Sequence, residues 1–256
     1  MATAASDRSR ALGLGTERRR VEMAKRVLDV IVASVLLALV SPVLLACGLA
    51  VVLETRGPVF YRARRVGRHG RELQMLKFRK MHADARGPAL TAPDDDRFTR
   101  VGKFLAAWKL DELPQLFNVV KGDMSLVGPR PEDPDFVSVH AEAYATILAV
   151  RPGVTGLSQL AFAKESRVLK EDNRVDDYLE RILPQKIRID MLYAARASLR
   201  TDLSILLWTV AAVFLRRDVA VNRANGGLTR RSRPEGGELA RATDAVAIES
   251  APAEAA

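Results

Sequence analysis

With 256 residues, the chain has room for one compact domain plus a membrane element and flexible ends. Its 40 Lys and Arg against 31 Asp and Glu leave a net charge of +9, a balance that fits anionic lipid head groups, phosphorylated substrates or nucleic acid. A single cysteine, Cys47, excludes an intrachain disulfide and a cysteine zinc cluster.

Residues 1–20 are rich in Ala, Ser and Arg with little apolar periodicity, and are expected to form a flexible basic arm. Then comes Val30 to Leu53, VIVASVLLALVSPVLLACGLAVVL. As a straight helix it would be ~36 Å long, enough to cross a hydrocarbon core of ~30 Å. Yet Arg18, Arg19, Arg20, Lys25 and Arg26 precede it, and Arg56, Arg62, Arg64, Arg65, Arg68 and Arg71 follow it. Lysine and arginine near a span favour the cytoplasmic face, and here both flanks claim that face. Pro42 kinks or breaks a helix, and Ser41 can offer its hydroxyl to a carbonyl freed there. Residues 21–54 are therefore expected to be a re-entrant helix–break–helix; a kinked single crossing is the alternative. A cleaved signal peptide does not fit, because the run is too long and no small-residue cleavage site follows.

Residues 55–217 read as the catalytic part. Pro58 to Tyr61 and Leu73 to Phe78 alternate as short strands, with Gly67 to Gly70 as the turn between them. Residues 87–96, with Pro88, Pro93 and Asp94-Asp95-Asp96, form a loop. Gly102 to about Val120 is helical but restarts near Leu110-Asp111, since Pro114 is tolerable only in a first turn. Leu113, Leu116, Phe117 and Val120 then share one apolar face. Residues 135–149 and 174–195 have helical patterns. Thr201-Asp202 is expected to cap a last apolar helix, Leu203 to Leu215, fit either for a membrane interface or for the core. Residues 218–256, with Gly226-Gly227 and Gly236-Gly237, are expected to be a disordered tail.

Asp111-Glu112 is the first candidate for chemistry. At a helix start both carboxylates are favoured in the ionised form. An ionised Asp can attack phosphorus to give an acyl-phosphate, and its neighbour can hold Mg²⁺ or move a proton. An isolated acidic pair is more often just a cap, but basic groups stand nearby in the sequence. Lys77 and Arg79 would share one face of a strand. Arg130, between Pro129 and Pro131, and Arg151, before Pro152-Gly153, are held stiffly and lose little freedom in clamping a phosphate. Together these groups point to metal-assisted phosphoryl transfer on a lipid substrate. His69, His82 and His140 show no metal-ligand spacing, and no phosphate-binding glycine loop or nucleophile elbow is present.

The ordered pieces Lys25-Arg26 with Asp29, Ser41-Pro42, Lys77 to Met81, Leu110 to Val119, Lys121 to Pro131 and Arg151 to Gly156 resemble the bacterial sugar transferases. These are the monotopic phosphoglycosyl transferases that start glycan assembly, and the resemblance covers about residues 21–217 in the minimal catalytic form. It implies a mostly helical α/β monotopic membrane protein: a re-entrant anchor, a cytoplasmic catalytic domain and interfacial helices, on the cytoplasmic face of the bacterial inner membrane. It further implies a Mg²⁺-dependent transfer of sugar-1-phosphate from a nucleotide sugar, a UDP-sugar, to polyprenyl phosphate, releasing UMP. Asp111 would carry the covalent intermediate, Glu112 would act as base or metal ligand, and Arg79, Arg130 and Lys77 would bind phosphate. Two stretches depart from the family pattern. Ala106-Ala107-Trp108-Lys109 replaces a polar, arginine-bearing cap, with Lys109 expected to restore positive charge. Leu157 to Ser166 is expected to help read the donor.

A non-catalytic membrane scaffold for polysaccharide assembly is the alternative. Nucleic acid is not expected as a partner, because no helix-turn-helix is recognisable and few aromatics stand among the arginines. The sequence leaves a homodimer open.

Overall fold

The computed structural model describes residues 2–82, 85, 87, 90–91, 95–163, 174–215 and 218–230, with side chains from Arg20 onward. Helix α1 (Ala2–Thr55) opens the chain, and its segment Arg20–Thr55 is long and apolar enough to cross a membrane. The backbone of the basic arm is helical too, where flexibility was expected; its Ala, Arg, Leu and Glu are good helix formers. Pro42 lies inside α1. It has no N–H for the carbonyl four residues back, that of Ala38, and the Ser41 hydroxyl donates to this same carbonyl at 2.9 Å. Because the freed acceptor is satisfied on the spot, the helix continues across Ser41-Pro42, where a break was expected, without an irregular segment.

α1 packs on the rest of the molecule along its apolar stretch, with Leu37, Val40 and Leu44 partly buried in the middle. Ala33 joins the main core with Val119 and Leu126, while Cys47 and Val51 pack with Phe78 and Leu105. Between and around these contacts Ile31, Val35, Leu39, Leu45, Leu49 and Leu53 are exposed. Polar contacts do the same at each end. Lys25 Nζ donates to the Val127 carbonyl at 3.1 Å and pairs with Asp202 at 2.5 Å, and Asp29 accepts from Leu126 N–H at 3.2 Å. At the other end Glu54 accepts from the N–H groups of Arg100 and Val101 at 2.8 and 3.0 Å.

Strands β1 (Phe60–Val66) and β2 (Glu72–Phe78) form an antiparallel hairpin, with Phe60 opposite Phe78 and Val66 opposite Glu72; β1 begins two residues later than the expected Pro58–Tyr61 and runs on to Val66. That register turns Ala63, Leu73 and Met75 into the core and leaves Arg62 and Arg64 outside. Helix α2 (Arg100–Ala107) starts at Thr99, whose hydroxyl accepts from Gly102 N–H at 2.8 Å. Lys109, at φ 58°, ends that run, a turn of 3-10 helix holds Leu110–Glu112, and α3 (Gln115–Lys121) follows directly after Pro114. The restart expected near Asp111 is thus present.

Strand β3 (Ser125–Val127) pairs in parallel with β4 (Gly153–Thr155), and α4 (Pro134–Val139) and α5 (Ala141–Ile147) lie between them in sequence. The short α6 (Leu157–Ala161) comes next. Further on, α7 (Arg174–Asp177) passes through one wide helical turn, Tyr178–Ile182, into α8 (Leu183–Arg196). Tyr144, Ile147, Tyr178, Ile182, Leu183 and Ile187 make a second core between α5 and α8. Helix α9 (Leu199–Phe214) is capped by Ser198, which accepts from Thr201 N–H at 3.2 Å, and not by Thr201-Asp202 as expected. Asp202 is unavailable as a cap because it is buried, accepting from Tyr193 Oη at 2.6 Å and pairing with Lys25. In α9 Ile205 is fully buried, as a core helix requires, while Leu203, Leu207 and Val210 form an exposed apolar face.

One stretch of the expected tail is ordered. β5 (Val219–Val221) and β6 (Leu228–Arg230) pair antiparallel, with Val219 in the main core. Asn222 closes the turn, its side-chain oxygen accepting from Ala224 and Asn225 N–H at 2.9 and 3.3 Å, and Gly226 supplies φ +74°. Residues 231–256, Pro88, Pro93, Asp94, Lys164 to Ser166 and Arg216-Arg217 lie outside the described residues.

Candidate active site

Asp111 and Glu112 sit on the short turn ahead of α3, and each is met by cations from other segments. Asp111, 2% exposed, pairs through Oδ2 with Lys80 Nζ at 3.2 Å. Glu112 accepts through Oε1 from Lys77 Nζ at 2.9 Å and from Arg130 Nη2 at 3.0 Å. Burial by itself would raise the Glu112 carboxyl, but Arg130 and Lys77, helped by Lys109, hold it well below the usual carboxylate range. The positive contribution expected of Lys109 is therefore present. Burial in turn lowers the Lys77 ammonium, and Glu112 opposes that shift.

The backbone carrying Arg130 is pinned on several sides. Gly128 N–H donates to Thr155 O at 2.9 Å and Gly153 N–H to Pro129 O at 2.8 Å. A Cβ on Gly153 would lie 2.0 Å from the Gly128 nitrogen, so only glycine allows this approach. The carbonyl of Val127 accepts from Lys25 Nζ and Tyr193 Oη at 3.1 Å each, and from Ser125 Oγ at 3.0 Å.

The other two cations expected at the site are engaged elsewhere. β2 ends at Phe78, so the alternation that placed Arg79 beside Lys77 stops there, and Lys80 reaches the dyad instead. Arg79 turns to the end of α1, where Nη2 donates to Thr55 Oγ1 and the guanidinium lies against Gly57. Arg151 Nε donates to Gly122 O at 3.3 Å, beyond the C-terminus of α3. Arg26 covers the same end through Val119 O at 2.5 Å and Val120 O at 2.9 Å. A cation there complements the negative end of a helix, which makes Arg151 a capping group and not a partner of the dyad.

A second polar cluster lies beyond Arg130. Glu132 accepts from Tyr178 Oη at 2.8 Å and Lys186 Nζ at 3.2 Å, and Lys186 also donates to Tyr178 Oη at 3.0 Å. Asp190, one turn after Lys186 on α8, is 5% exposed, and its Oδ1 has no hydrogen-bond partner among the described residues. Burial pushes its carboxyl up to about 7, against the opposing Ser158 hydroxyl and Lys186. An unfolded Asp titrates near ~3.9. The protonated form is therefore favoured by folding, and the stability it contributes is complete below that value and is lost as pH rises through about 7. Asp190→Asn should flatten this dependence. In melts of the lipid-embedded protein the variant should exceed the parent by about 2–4 kcal/mol above neutrality, with the difference shrinking toward pH ~4.

The chain matches the model of the bacterial sugar transferase family over residues 20–216. The chain belongs to that family. It is 42% identical over 201 residues to the UDP-glucose:undecaprenyl-phosphate glucose-1-phosphate transferase of Caulobacter vibrioides, covering 77% of this chain and 72% of that one. Its identity is 37% to a Klebsiella pneumoniae protein of the same name, over 75% of this chain and 40% of that one. Against the UDP-N-acetylgalactosamine-undecaprenyl-phosphate N-acetylgalactosaminephosphotransferase of Aeromonas hydrophila it is 36%, over 74% of this chain and 43% of the other. The aligned part thus spans about two fifths of the latter two proteins.

Two features of this family member escaped the sequence reading. Lys80 stood inside a recognised motif but was assigned no role, because its position depends on where β2 stops. The stretch expected to read the donor begins as α6, with Leu157, Ser158 and Leu160 buried. Apolar spacing at Leu157, Leu160 and Ala161 was the available signal.

Among the described residues no group of three or more ligating side chains surrounds the dyad. The two carboxylates of the dyad are the candidate ligands for a metal there among the described residues. That donor set suits Mg²⁺, which binds through one or two carboxylates and completes its shell with water and phosphate oxygens.

Proposed function

We propose that the chain transfers a sugar-1-phosphate from a UDP-sugar to polyprenyl phosphate, releasing UMP, and so starts assembly of a polysaccharide. The observation that carries this reading is the adjacent carboxylate pair met by cations from separate segments, Lys80 on Asp111 and Lys77 with Arg130 on Glu112. The names of the relatives supply the substrate class. A carboxylate oxygen of Asp111 attacks the β-phosphorus, and the bond from that phosphorus to the bridging oxygen breaks. UMP departs with that oxygen. An oxygen of polyprenyl phosphate then attacks the aspartyl-bound phosphorus and frees Asp111, leaving polyprenyl-diphospho-sugar.

Both attacking groups are already anions, and UMP leaves as an anion, so neither displacement needs a proton removed. This fits Glu112, whose pairing with two cations makes it a poor base. Its work is electrostatic: it organises Lys77 and Arg130. Asp111 and Glu112 would hold Mg²⁺, which would offset charge on the diphosphate. Arg130 and Lys77 hold phosphate oxygens, and Lys80 aims the Asp111 carboxylate. UMP release across a panel of UDP-sugars, with polyprenyl phosphate and membranes bearing the protein, tests the reading. Silence with every donor would favour the non-catalytic scaffold.

The anchor is re-entrant, with both ends and the catalytic part on the cytoplasmic face of the inner membrane. What supports this is that Lys25, Arg26 and Asp29 at one end, and Glu54 and Thr55 at the other, all bond to the same body. A straight helix crossing ~30 Å of hydrocarbon would separate those ends. The exposed apolar face of α9 lies on the membrane surface. With Cys47→Ser as background, single cysteines at Ser6 and Arg62 should label equally with an impermeant maleimide from the cytoplasmic side only. Labelling from opposite sides would exclude the re-entrant anchor.

A further inference from the structure

The two carboxylates of the dyad are not held alike. Asp111 meets one ammonium, whereas a single oxygen of Glu112, Oε1, takes Lys77 at 2.9 Å and Arg130 at 3.0 Å. That oxygen stands where an ammonium from β2 and a guanidinium from the Pro129–Pro131 connection converge. A phosphate oxygen placed there would find the same pair of donors. We propose that Glu112 is a placeholder for the phosphate group of the substrate: it holds Lys77 and Arg130 together in the free enzyme, and an entering phosphate takes over both cations and releases it.

Two cations brought together without an anion repel each other, so the carboxylate keeps the site organised before substrate arrives. It also competes with that substrate, so the affinity for phosphate is lower than the bare cations would give. Once released, Glu112 is free to join Asp111 on a cation that comes with the diphosphate. Donor and metal then bind as a pair and not independently. The inference rests on the proposed function only in taking phosphate as the ligand, and both the nucleotide diphosphate and the lipid phosphate meet that requirement.

The test is calorimetric titration of the full chain in lipid nanodiscs with divalent metal chelated, using UDP in one arm and farnesyl phosphate in the other. Glu112→Gln keeps the shape and removes the charge. It should bind the occupying phosphate about tenfold more tightly than the parent, a difference of ~1.4 kcal/mol. In an Arg130→Ala background the same change should gain less than about twofold. A gain in either arm supports the placeholder, and the arm that shows it names the phosphate concerned. Unchanged or weaker binding in both arms overturns it. So does an equal gain with and without Arg130, which would mean that Glu112 acts only through net charge. Should Glu112→Gln fail to fold, Glu112→Asp, one methylene short of both cations, should still gain several-fold. No turnover is involved, so this result and the fate of the aspartyl intermediate can fail separately.

Discussion

Asp111→Asn should abolish both turnover and labelling of the protein by the donor's phosphosugar, with UMP release falling by at least about 10⁴-fold. The amide has nearly the shape of the carboxylate but no anionic oxygen to attack phosphorus. The fold should survive, because the amide keeps the shape of the buried side chain and Lys80 keeps a second contact, 5.2 Å over the Phe98 ring. Mass spectrometry of donor-treated protein is the direct check, with the parent gaining a sugar phosphate and the variant nothing. Substantial activity in purified Asp111→Asn would rule out the covalent route through this residue.

Arg130→Ala should lower kcat/KM by about 10²–10³-fold while leaving the melting temperature close to that of the parent. Its guanidinium is prepared before substrate binds. Flanking prolines stiffen the chain, Gly128 and Gly153 let β3 and β4 close on it, and the Val127 carbonyl is held by Lys25, Tyr193 and Ser125. Arg130→Lys should recover only part of the loss, since an ammonium cannot make the forked contact. Arg151→Ala is the informative contrast. Its guanidinium caps α3 through Gly122 O, so the variant should melt earlier with kcat/KM changed by less than about threefold. A large kinetic loss without a change in melting would instead place Arg151 on substrate.

The candidate site was legible in the sequence where its structure depended on short-range constraints. Pro114 can stand only at a helix start, which places Asp111 and Glu112 on the turn just before it. Alternation with a glycine-bounded turn located the β1–β2 hairpin. Proline on both sides of Arg130 marked a rigid cation, and Ser41 beside Pro42 marked a carbonyl that would need a donor. In each case the cause lies within a few residues of the effect.

Contacts over long separations were not legible. Lys77 and Arg79 were expected on one face, and the end of β2 at Phe78 sends Lys77, Arg79 and Lys80 to Glu112, to Thr55 and to Asp111. Arg130 and Arg151 share a proline-flanked setting, yet one reaches the dyad and the other a helix end. Val219 to Arg230 has turn residues typical of a disordered tail, but Val219 finds the main core and the hairpin closes. Asp202 looked like a cap and is instead a buried partner for Lys25 and Tyr193.

By itself, then, the sequence determined the apolar anchor with its serine–proline pair, the acidic pair at a helix start and the family to which the chain belongs. Tertiary structure alone decided which cation serves which carboxylate, and that both ends of the anchor grip one body. The physical reason is the range of the forces. Backbone geometry is set by neighbours along the chain, whereas an ion pair forms between whichever groups packing brings within about 3 Å, however far apart they stand in sequence.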